Sequence, residues 1–395
     1  MQRHRPASEA EVVEIVTEAF ARRAPLAIEG FGSKSALGPP VEAQAVLAMD
    51  GLAAVELYEP DELVIRTGAG ASLASVQALL AQNGQRLAFA PPDWRRLLGS
   101  PAPAQSMAGI AATNLSGSAR LTVGAARDHL IGFTAVNGAG ERFKSGGRVV
   151  KNVTGYDLSK LMAGAFGTLG VLTSVTFRVT PLPEHETTLA VAGVDALVAT
   201  TLFAAALGGP DEIAACAWLP AGPAARLGLS GPVALLRLEG LAASIRVRLE
   251  GLRARIDHPA DRIEGADSAA LWTALGDAAP LTEPMDRALW RVSAPPMEAA
   301  DLLATAPEAE VLLDWAGGLV WLAMPEEGDA GAARIRAHLA QCGGHATLVR
   351  AGAALRERVP AFQPRPAALA ALEARVRESF DPAGILNPGR TGALA

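Results

Sequence analysis

The sequence predicts an α+β protein of two domains, and three observations support this prediction. First, 395 residues correspond to two or three domains at roughly 150 residues each. Second, glycine-rich loops follow short strand candidates throughout residues 1–182. Third, strand and helix candidates alternate over residues 183–395, which is typical of an antiparallel sheet backed by helices. The Pro181-Leu-Pro183 segment predicts the domain boundary.

The elements of the first domain can be predicted in order. Ser8 and Glu11 form a capping-box pattern in front of an apolar stripe, which indicates the first helix. Between Gly84 and Gly170 the periodicity fades, and a loop-rich segment of this length is typically functional. The other predicted elements are strands at 26–28, 46–49, 55–58, 63–67 and 171–180, and a helix at 73–82 capped by Ser72.

The second domain shows clearer patterns. Its predicted strands are 188–192, 213–219, 233–239, 288–293, 310–314, 319–324 and 345–350. Its predicted helices are 195–207, 242–255, 298–304, 330–341 and 366–379.

Composition excludes several classes of protein. With 50% hydrophobic residues, 19% charged residues and a net charge of −6, the chain reads as globular and as a poor phosphate-tracking nucleic-acid binder. No apolar stretch reaches the roughly 18 residues of a membrane span, and no signal-peptide core is evident at the start. Cys216 and Cys342 are too few for an ordinary iron–sulfur cluster or zinc ribbon, so we expect a reducing cytoplasm.

Lysine is rare and unevenly placed. Only four of the 35 basic residues are lysines, and all four lie in the first 160 positions, beside glycine-rich or motif-like segments: Lys34, Lys144, Lys151 and Lys160. A codon bias explains the excess of arginine. The clustering supports a functional site in the first domain, and Lys34 is placed to offset the charge of a phosphate group.

Glycine-rich loops after strands can hold phosphates through backbone amides, and several named patterns can be tested. Ser33 separates Gly32 from Lys34, so the NTPase loop fails. Gly68-Ala-Gly70 begins a dinucleotide fingerprint, but Leu73 occupies the third glycine position. Each loop alone is weak evidence.

The order of the motifs is more specific. It runs through Gly30-Phe-Gly-Ser-Lys34, Gly68-Ala-Gly70, Gln105 to Asn114, Arg127-Asp128, Lys151 to Leu158, Gly164-Ala-Phe-Gly-Thr-Leu-Gly170 and Phe380 to Arg390. This set resembles the FAD-binding domain of the vanillyl-alcohol-oxidase and para-cresol-methylhydroxylase (PCMH) type, followed by the cap domain of the FAD-linked oxidase branch. Within that branch, Gly164–Gly170, Trp290-Arg-Val-Ser293 and Gly343 to Leu348 resemble the smaller FAD-binding subunits of bacterial glycolate oxidases.

The resemblance implies a two-part FAD-binding domain over 1–182 and an α+β cap over 183–395, with 380–390 returning to the flavin. It implies non-covalent FAD, since no histidine lies in the first phosphate loop and neither cysteine lies in the first domain. His129 is expected to be a hydrogen-bonding loop residue. The implied cofactor-binding residues are Gly30, Phe31, Gly32, Ser33, Lys34 and Ser35 at the pyrophosphate; Ser106, Ala108 and Gly109 in a second turn; Asn114 and Ser116 beside the flavin; Gly167, Thr168, Gly170 and Val171 at the adenine end; Tyr156; and Asn387 at the isoalloxazine.

Alternatives remain for these residues. Ala108 stands where relatives usually carry glycine. Asn114 fits a plain turn, Gly167 and Gly170 fit helix–strand packing, and Tyr156 fits a core anchor.

Catalytic candidates come from the cap. Oxidising a 2-hydroxy acid requires a cation for the carboxylate and a base for the hydroxyl proton. Arg291 is the candidate for the carboxylate and His345 for the base, with an ion pair and a structural imidazole as the alternatives. The H-x-G-D-G-N metal motif of catalytic relatives is absent, and His338 has no carboxylate at ligand spacing, so no metal site is predicted.

The resemblance implies an FAD-dependent subunit of a complex that oxidises glycolate, acting in the oxidation or relaying its electrons. The alternative is an FAD-binding assembly subunit without substrate chemistry. A reductase of the cell-wall-precursor type that uses NADPH is disfavoured by the C-terminal motif and the length. The implied partners are a larger FAD-containing catalytic subunit and an iron–sulfur subunit. The expected location is the cytoplasm, with attachment to the inner membrane face through partners left open.

Overall fold

The computed structural model describes residues 1–147 and 156–392. Lys151 and most of the motif around it lie outside these residues. The elements of the first domain are β1 (Gln2–His4), α1 (Glu9–Arg22), β2 (Leu26–Glu29), β3 (Ala45–Ala48), β4 (Val55–Glu59), β5 (Val64–Gly68), α2 (Leu73–Gln82), β6 (Gln85–Arg86), α3 (Met107–Thr113), α4 (Arg120–Val123), α5 (Ala126–His129), β7 (Leu130–Val136), β8 (Arg142–Gly146), α6 (Leu158–Met162), β9 (Val171–Arg178) and β10 (Thr180–Pro181).

Two sheets make up most of this domain. A parallel sheet has the strand order β1-β3-β2, and an antiparallel sheet has the order β4-β5-β9-β7-β8. The predicted caps are present: Ser8 accepts a hydrogen bond from the Glu11 amide before α1, and Ser72 accepts one from the Ser75 amide before α2. The apolar stripe of α1 buries Val12 and Val16 in a core shared with both sheets.

The expectation of irregular structure between Gly84 and Gly170 is only partly right. The segment contains β7 and β8 within the antiparallel sheet and several short helices. β7 is almost wholly buried, so its residues do not alternate between apolar and polar, and the periodicity of a half-exposed strand is missing. β1 is also absent from the prediction, because three residues carry no measurable period.

The second domain is built on one antiparallel sheet of eight strands, in the order β14-β11-β13-β12-β16-β17-β15-β18. Its elements are β11 (His185–Ala192), α7 (Ala196–Leu207), β12 (Ala215–Leu219), α8 (Ala221–Ala225), β13 (Val233–Gly240), α9 (Ala242–Arg255), β14 (Ala260–Glu264), α10 (Gly265–Gly276), β15 (Arg287–Ser293), α11 (Ala299–Ala304), β16 (Glu310–Asp314), β17 (Leu319–Pro325), α12 (Ala332–Cys342), β18 (His345–Arg350), α13 (Ala353–Arg358) and α14 (Ala367–Phe380). The predicted fold class is confirmed.

Four elements of this domain were not predicted: α8, β14, α10 and α13, of which the helices α8 and α13 have only five and six residues. β14 is an edge strand of mainly exposed, polar residues, so it lacks the apolar alternation of a half-buried strand. α10 follows it directly and buries Leu271 and Trp272, but its capping residue Glu264 makes no side-chain cap. Neither therefore carries the local pattern from which strands and helices are predicted.

The two faces of the large sheet have different partners. One face packs on helices α7, α9 and α12, with Trp290 and Val292 of β15 in that core. The opposite face carries Leu289 of β15 and Trp321 of β17, and it packs against Trp94 and Leu115 of the first domain. We call this second face the inner face. Since side chains alternate along a strand, Arg291 projects from the inner face.

The C-terminal segment returns to the first domain. Val376 and Phe380 of α14 pack against its core, and Leu386 forms a parallel bridge with Leu26 beside β2. The Asp381 carboxylate accepts hydrogen bonds from the amides of Ile385 and Leu386. These contacts hold the chain end next to the loop that follows β2.

Candidate functional site

The loop after β2 presents a row of backbone donors. Gly32 has φ +76°, and the Ser35 amide and hydroxyl both donate to its carbonyl, which tightens the turn. Within the described part of the chain, the amides of Phe31, Gly32, Ser33 and Lys34 have no hydrogen-bond acceptor. Because backbone amides of successive turn residues form anion-binding concavities, this loop can receive a phosphate group.

A second turn closes on the first loop. Ser106 caps α3, and its hydroxyl accepts a hydrogen bond from the Gly109 amide at 3.1 Å. A Cβ at Gly30 would lie 2.0 Å from the Ser106 Oγ, so only glycine permits this approach. The Ala108 amide donates to the Ala69 carbonyl at 3.1 Å, so it is not a free donor for a phosphate group. Alanine in place of the glycine of relatives therefore removes no free donor from this turn.

Asn387 joins the C-terminal segment to β2 and to the turn before β9. Its Oδ1 accepts a hydrogen bond from the Ile28 amide at 2.7 Å, and its Nδ2 donates to the Phe166 carbonyl at 2.8 Å. Phe166 precedes Gly167, where a Cβ would lie 2.8 Å from the Asn387 Nδ2. One buried amide thus fixes the distance between the end of β2 and the turn before β9.

Two cations border the loop. The Lys34 Nζ donates to the Gln105 Oε1 at 2.6 Å, and burial, only partly offset by Asp93, lowers the pKa of Lys34 to about 8. The Arg390 guanidinium donates to the carbonyls of Lys34 and Ser35. Burial, with a further contribution from Arg356, lowers the pKa of Arg390 to about 10.

These elements enclose a cavity of about 330 Å³ between the loop after β2, the start of α3 and the turn at Gly167. Twelve of the residues predicted to hold the cofactor line it: Gly30, Phe31, Gly32, Ser33, Lys34, Ser35, Ser106, Ala108, Gly109, Gly167, Gly170 and Asn387. The convergence of segments more than 350 positions apart makes this cavity the candidate site.

Five predicted residues do not line the cavity. Asn114 accepts a hydrogen bond from the Arg127 amide, Ser116 accepts one from the Ala126 amide, and the Thr168 hydroxyl donates to the Ala165 carbonyl. Val171 is buried in β9. Tyr156 is 91% exposed, which excludes the core-anchor alternative.

The cavity also has lining residues that the sequence analysis missed. Glu29, Thr113, Met162, Phe166 and Arg390 are among them. Arg390 ends the C-terminal motif already quoted, so its basic charge beside Asn387 was the available signal. Phe166 adopts φ +53° and packs on Phe362, a contact between distant segments that no local pattern reveals.

Arg291 and His345, the catalytic candidates of the cap, share the inner face. Arg291 pairs with Thr347 across β15 and β18, and His345 pairs with Ser293, one diagonal away. Burial and the neighbouring Arg120 lower the pKa of Arg291 to about 10. Desolvation and, next in size, Arg291 also lower the pKa of His345, which favours the neutral form of its imidazole.

His338 differs from its sequence-based description. The fold brings the Glu298 Oε2 to 3.6 Å from the His338 Nε2, and the Cys342 Sγ lies within 4.8 Å of these groups. The carboxylate comes from the turn before α11, which is why sequence spacing could not reveal it.

Comparison with known proteins first establishes the class. A family model described as an FAD binding domain matches residues 3–146. The fold is similar to p-cresol methylhydroxylase with substrate bound, with a TM-score of 0.72 at 13% identity over 99% of this chain and 88% of that one. These two matches define a protein with an FAD-binding domain and a PCMH-type fold.

The sequence relatives are more specific. The chain is 31% identical to the glycolate oxidase subunit GlcE of Escherichia coli (strain K12) over 385 residues, which is 96% of each chain. It is 29% identical to glycolate oxidase subunit GlcD of Bacillus subtilis (strain 168) over 185 residues, 47% of this chain and 38% of that one. The chain belongs to the GlcE family of glycolate oxidase subunits.

The chemical groups that line the cavity suit FAD. Free amides at Phe31–Lys34 and the buried Lys34 ammonium suit a pyrophosphate, and the space opened by Gly30 admits a close backbone approach. Among the described residues, no helix is long and apolar enough to cross a membrane.

Proposed function

We propose that this chain binds FAD non-covalently in the cavity and serves a complex that oxidises glycolate, a 2-hydroxy acid, to glyoxylate, its flavin taking part in the oxidation or relaying the electrons. The observation that supports this most strongly is the run of acceptor-free amides from Phe31 to Lys34 at the cavity wall. When bound, FAD supplies the acceptor for the electron pair released from the substrate.

The proposed roles follow the geometry. The loop after β2 binds the pyrophosphate through its amides, and Ser106 narrows the opposite wall. Asn387 holds the chain end against the isoalloxazine side, and Arg390 braces the loop from behind through three carbonyls. Asn114, Ser116, Tyr156, Thr168 and Val171 remain proposed cofactor residues that lie outside the cavity.

Non-covalent binding is supported by the cavity's composition. Its lining, taken over the described residues, includes no histidine, cysteine or tyrosine, side chains that can form flavin tethers. Precipitating the purified protein with acid tests this. Flavin in the supernatant agrees with the proposal, and flavin retained in the pellet contradicts it.

Catalysis is proposed for the inner face. Arg291 binds the substrate carboxylate there, and the neutral imidazole of His345 accepts the hydroxyl proton. The proposed partners are a larger FAD-containing subunit and an iron–sulfur subunit, since the chain belongs to the GlcE family. Through them it works in the cytoplasm or at the inner membrane face.

Anaerobic addition of glycolate to the flavin-loaded chain tests the chemical role. Bleaching of the visible spectrum supports oxidation by this chain, and bleaching only after a partner is added supports electron relay. A flavin spectrum that is unchanged in both experiments favours the alternative, an assembly subunit without substrate chemistry. The absence of the H-x-G-D-G-N motif supports this alternative.

The pH dependence of FAD binding tests the role of Lys34. Its lowered pKa, about 8, means that the ammonium form prevails below pH 8 in the free chain. Bound pyrophosphate favours that form, so affinity should be constant below pH 8 and fall as pH rises above 8. We expect Lys34→Met to bind FAD more weakly at pH 7 and to lose this pH dependence. Equal titration curves for both proteins would argue against the contact.

A further inference from the structure

Two arginines from different domains meet around one indole ring. The guanidinium carbon of Arg120, in α4 of the first domain, lies 4.4 Å from the centroid of the Trp315 ring. That of Arg291, on the inner face of the cap sheet, lies 4.8 Å from the same centroid. Both distances are in the range of a cation–π contact, so Trp315 is a shared contact of the two guanidinium groups.

The turn that carries Trp315 is strained and locked between the domains. Trp315 and Ala316 both have positive φ, +51° and +56°, a conformation that costs free energy for residues with a Cβ. The Trp315 Nε1 donates to the Gly117 carbonyl at 3.0 Å, and the Ser118 hydroxyl donates to the Asp314 Oδ2 at 2.7 Å. These two hydrogen bonds hold the segment before Arg120 against the turn that follows β16.

Within the described part of the chain, the Arg291 Nε is buried without a hydrogen-bond partner. Asp314 is the acidic group whose charge acts on Arg291 and raises its pKa, which only partly offsets burial. Burial raises the pKa of Asp314 to about 6 despite its bond from Ser118. Arg291, a partly exposed cation beside Arg120, therefore has unmet donor capacity.

Further positive charge surrounds the same place. After desolvation, the charges of Arg291, Arg365 and Arg120 lower the pKa of His345, so all three arginines act on its imidazole. His345 itself is exposed, so solvent reaches this cluster from the side of β18. A concentration of guanidinium groups of this kind, open to solvent, is the electrostatic pattern of an anion-binding site.

We propose that Arg120 and Arg291 form a binding site for a small carboxylate, assembled across the two domains and supported by Trp315. In the proposed function, Arg291 alone binds the substrate carboxylate. The present proposal adds Arg120 from the FAD-binding domain to that site. That the bound carboxylate belongs to a hydroxy acid rests on the proposed function. A guanidinium fork matches the two oxygens of a carboxylate, and indole-stacked forks are pre-oriented to do so. Arg120 is thus a substrate-binding residue that requires the packed domain pair.

The test is a calorimetric titration of the full, flavin-loaded chain with glycolate and with glycolamide, its neutral counterpart. We expect Arg120→Gln and Arg291→Gln each to weaken glycolate binding by roughly 10- to 100-fold, as for loss of a charged hydrogen-bonding partner. Glycolamide binding should be unchanged. Arg246→Gln removes an exposed arginine of α9 and should leave both titrations unchanged.

Arg120→Lys keeps the charge without the fork and should bind glycolate with intermediate affinity, an order that a purely structural role would not produce. The proposal is overturned if the wild-type chain binds no glycolate, if the Arg120 variants bind it as tightly as wild type, or if glycolamide binding falls in parallel. The visible spectrum of the same samples separates the two claims. A chain without flavin contradicts the proposed function, while the calorimetric comparison still reports on the arginines.

Discussion

Replacing Gly30 with alanine is expected to lower the affinity for FAD by roughly 10- to 100-fold, because the forced displacement of packed atoms costs about 1–3 kcal/mol. An added Cβ would lie 2.0 Å from the Ser106 Oγ and 2.6 Å from the Ser106 Cβ. Neither atom can yield freely, since Ser106 caps α3 and the amide of the next residue, Met107, donates to the Ala71 carbonyl. The two loops must therefore move apart, which widens the cavity where the pyrophosphate is proposed to bind.

The measurement is the ratio of flavin to protein in the purified variant, followed by titration with added FAD. Gly222→Ala is the matched control, because a Cβ there meets no atom within 4 Å and φ is not positive. Its flavin content should equal that of wild type. Full flavin content in Gly30→Ala would show that the close approach of the two loops is irrelevant to the cofactor.

Replacing Asn387 with alanine is expected to destabilise the protein by roughly 2–5 kcal/mol, since two buried backbone partners lose their hydrogen bonds at about 1–3 kcal/mol each. The Ile28 amide and the Phe166 carbonyl are left unpaired, and Asn387 is only 5% exposed. Its φ of +46° adds to the effect, because asparagine tolerates the left-handed region better than alanine.

Urea unfolding followed by circular dichroism measures the change, and flavin release during the same titration shows whether the site opens first. Asn83→Ala is the control. Asn83 is exposed at the end of α2, and its side chain donates only to the Leu79 carbonyl. A loss of stability no greater than in Asn83→Ala would mean that the C-terminal segment does not hold the site together.

Much of the fold could be predicted from sequence because most of its helices and strands have a recognisable local sequence pattern. The helix at 73–82 has the predicted bounds, since its Ser72 cap and apolar face are both local. The predicted strands and helices of the cap agree with the structure within a few residues, because its buried strands are apolar runs of strand length and its helices carry apolar faces. β7, β14 and α10 were missed because β7 is buried but interrupted by Gly132 and Thr134, β14 is a polar edge strand, and α10 lacks a side-chain cap.

The site was predictable only as far as its motifs reach. The loops at Gly30 and Ser106 were indicated by glycine content and order, and the structure brings them together. Phe166 and Arg390 depend on tertiary contacts between segments distant in the chain, which no spacing encodes. The pairing of Arg120 with Arg291 depends on the packing of two domains on Trp315, so it required the structure.

One of the four lysines, Lys34, lines the candidate site. Lys34 is buried beside the acceptor-free amides, whereas Lys160 is an exposed partner of Asp157. Clustering of lysines in the first domain therefore indicated the region of the site but not the role of each residue.

The central claim is that the cavity between the Gly30 loop, α3 and Asn387 holds FAD. The most direct measurement is the flavin content of the purified wild-type chain, read from its visible spectrum and from the cofactor released by acid. We expect one FAD per chain, all of it released. A colourless chain that takes up no added FAD would contradict the account.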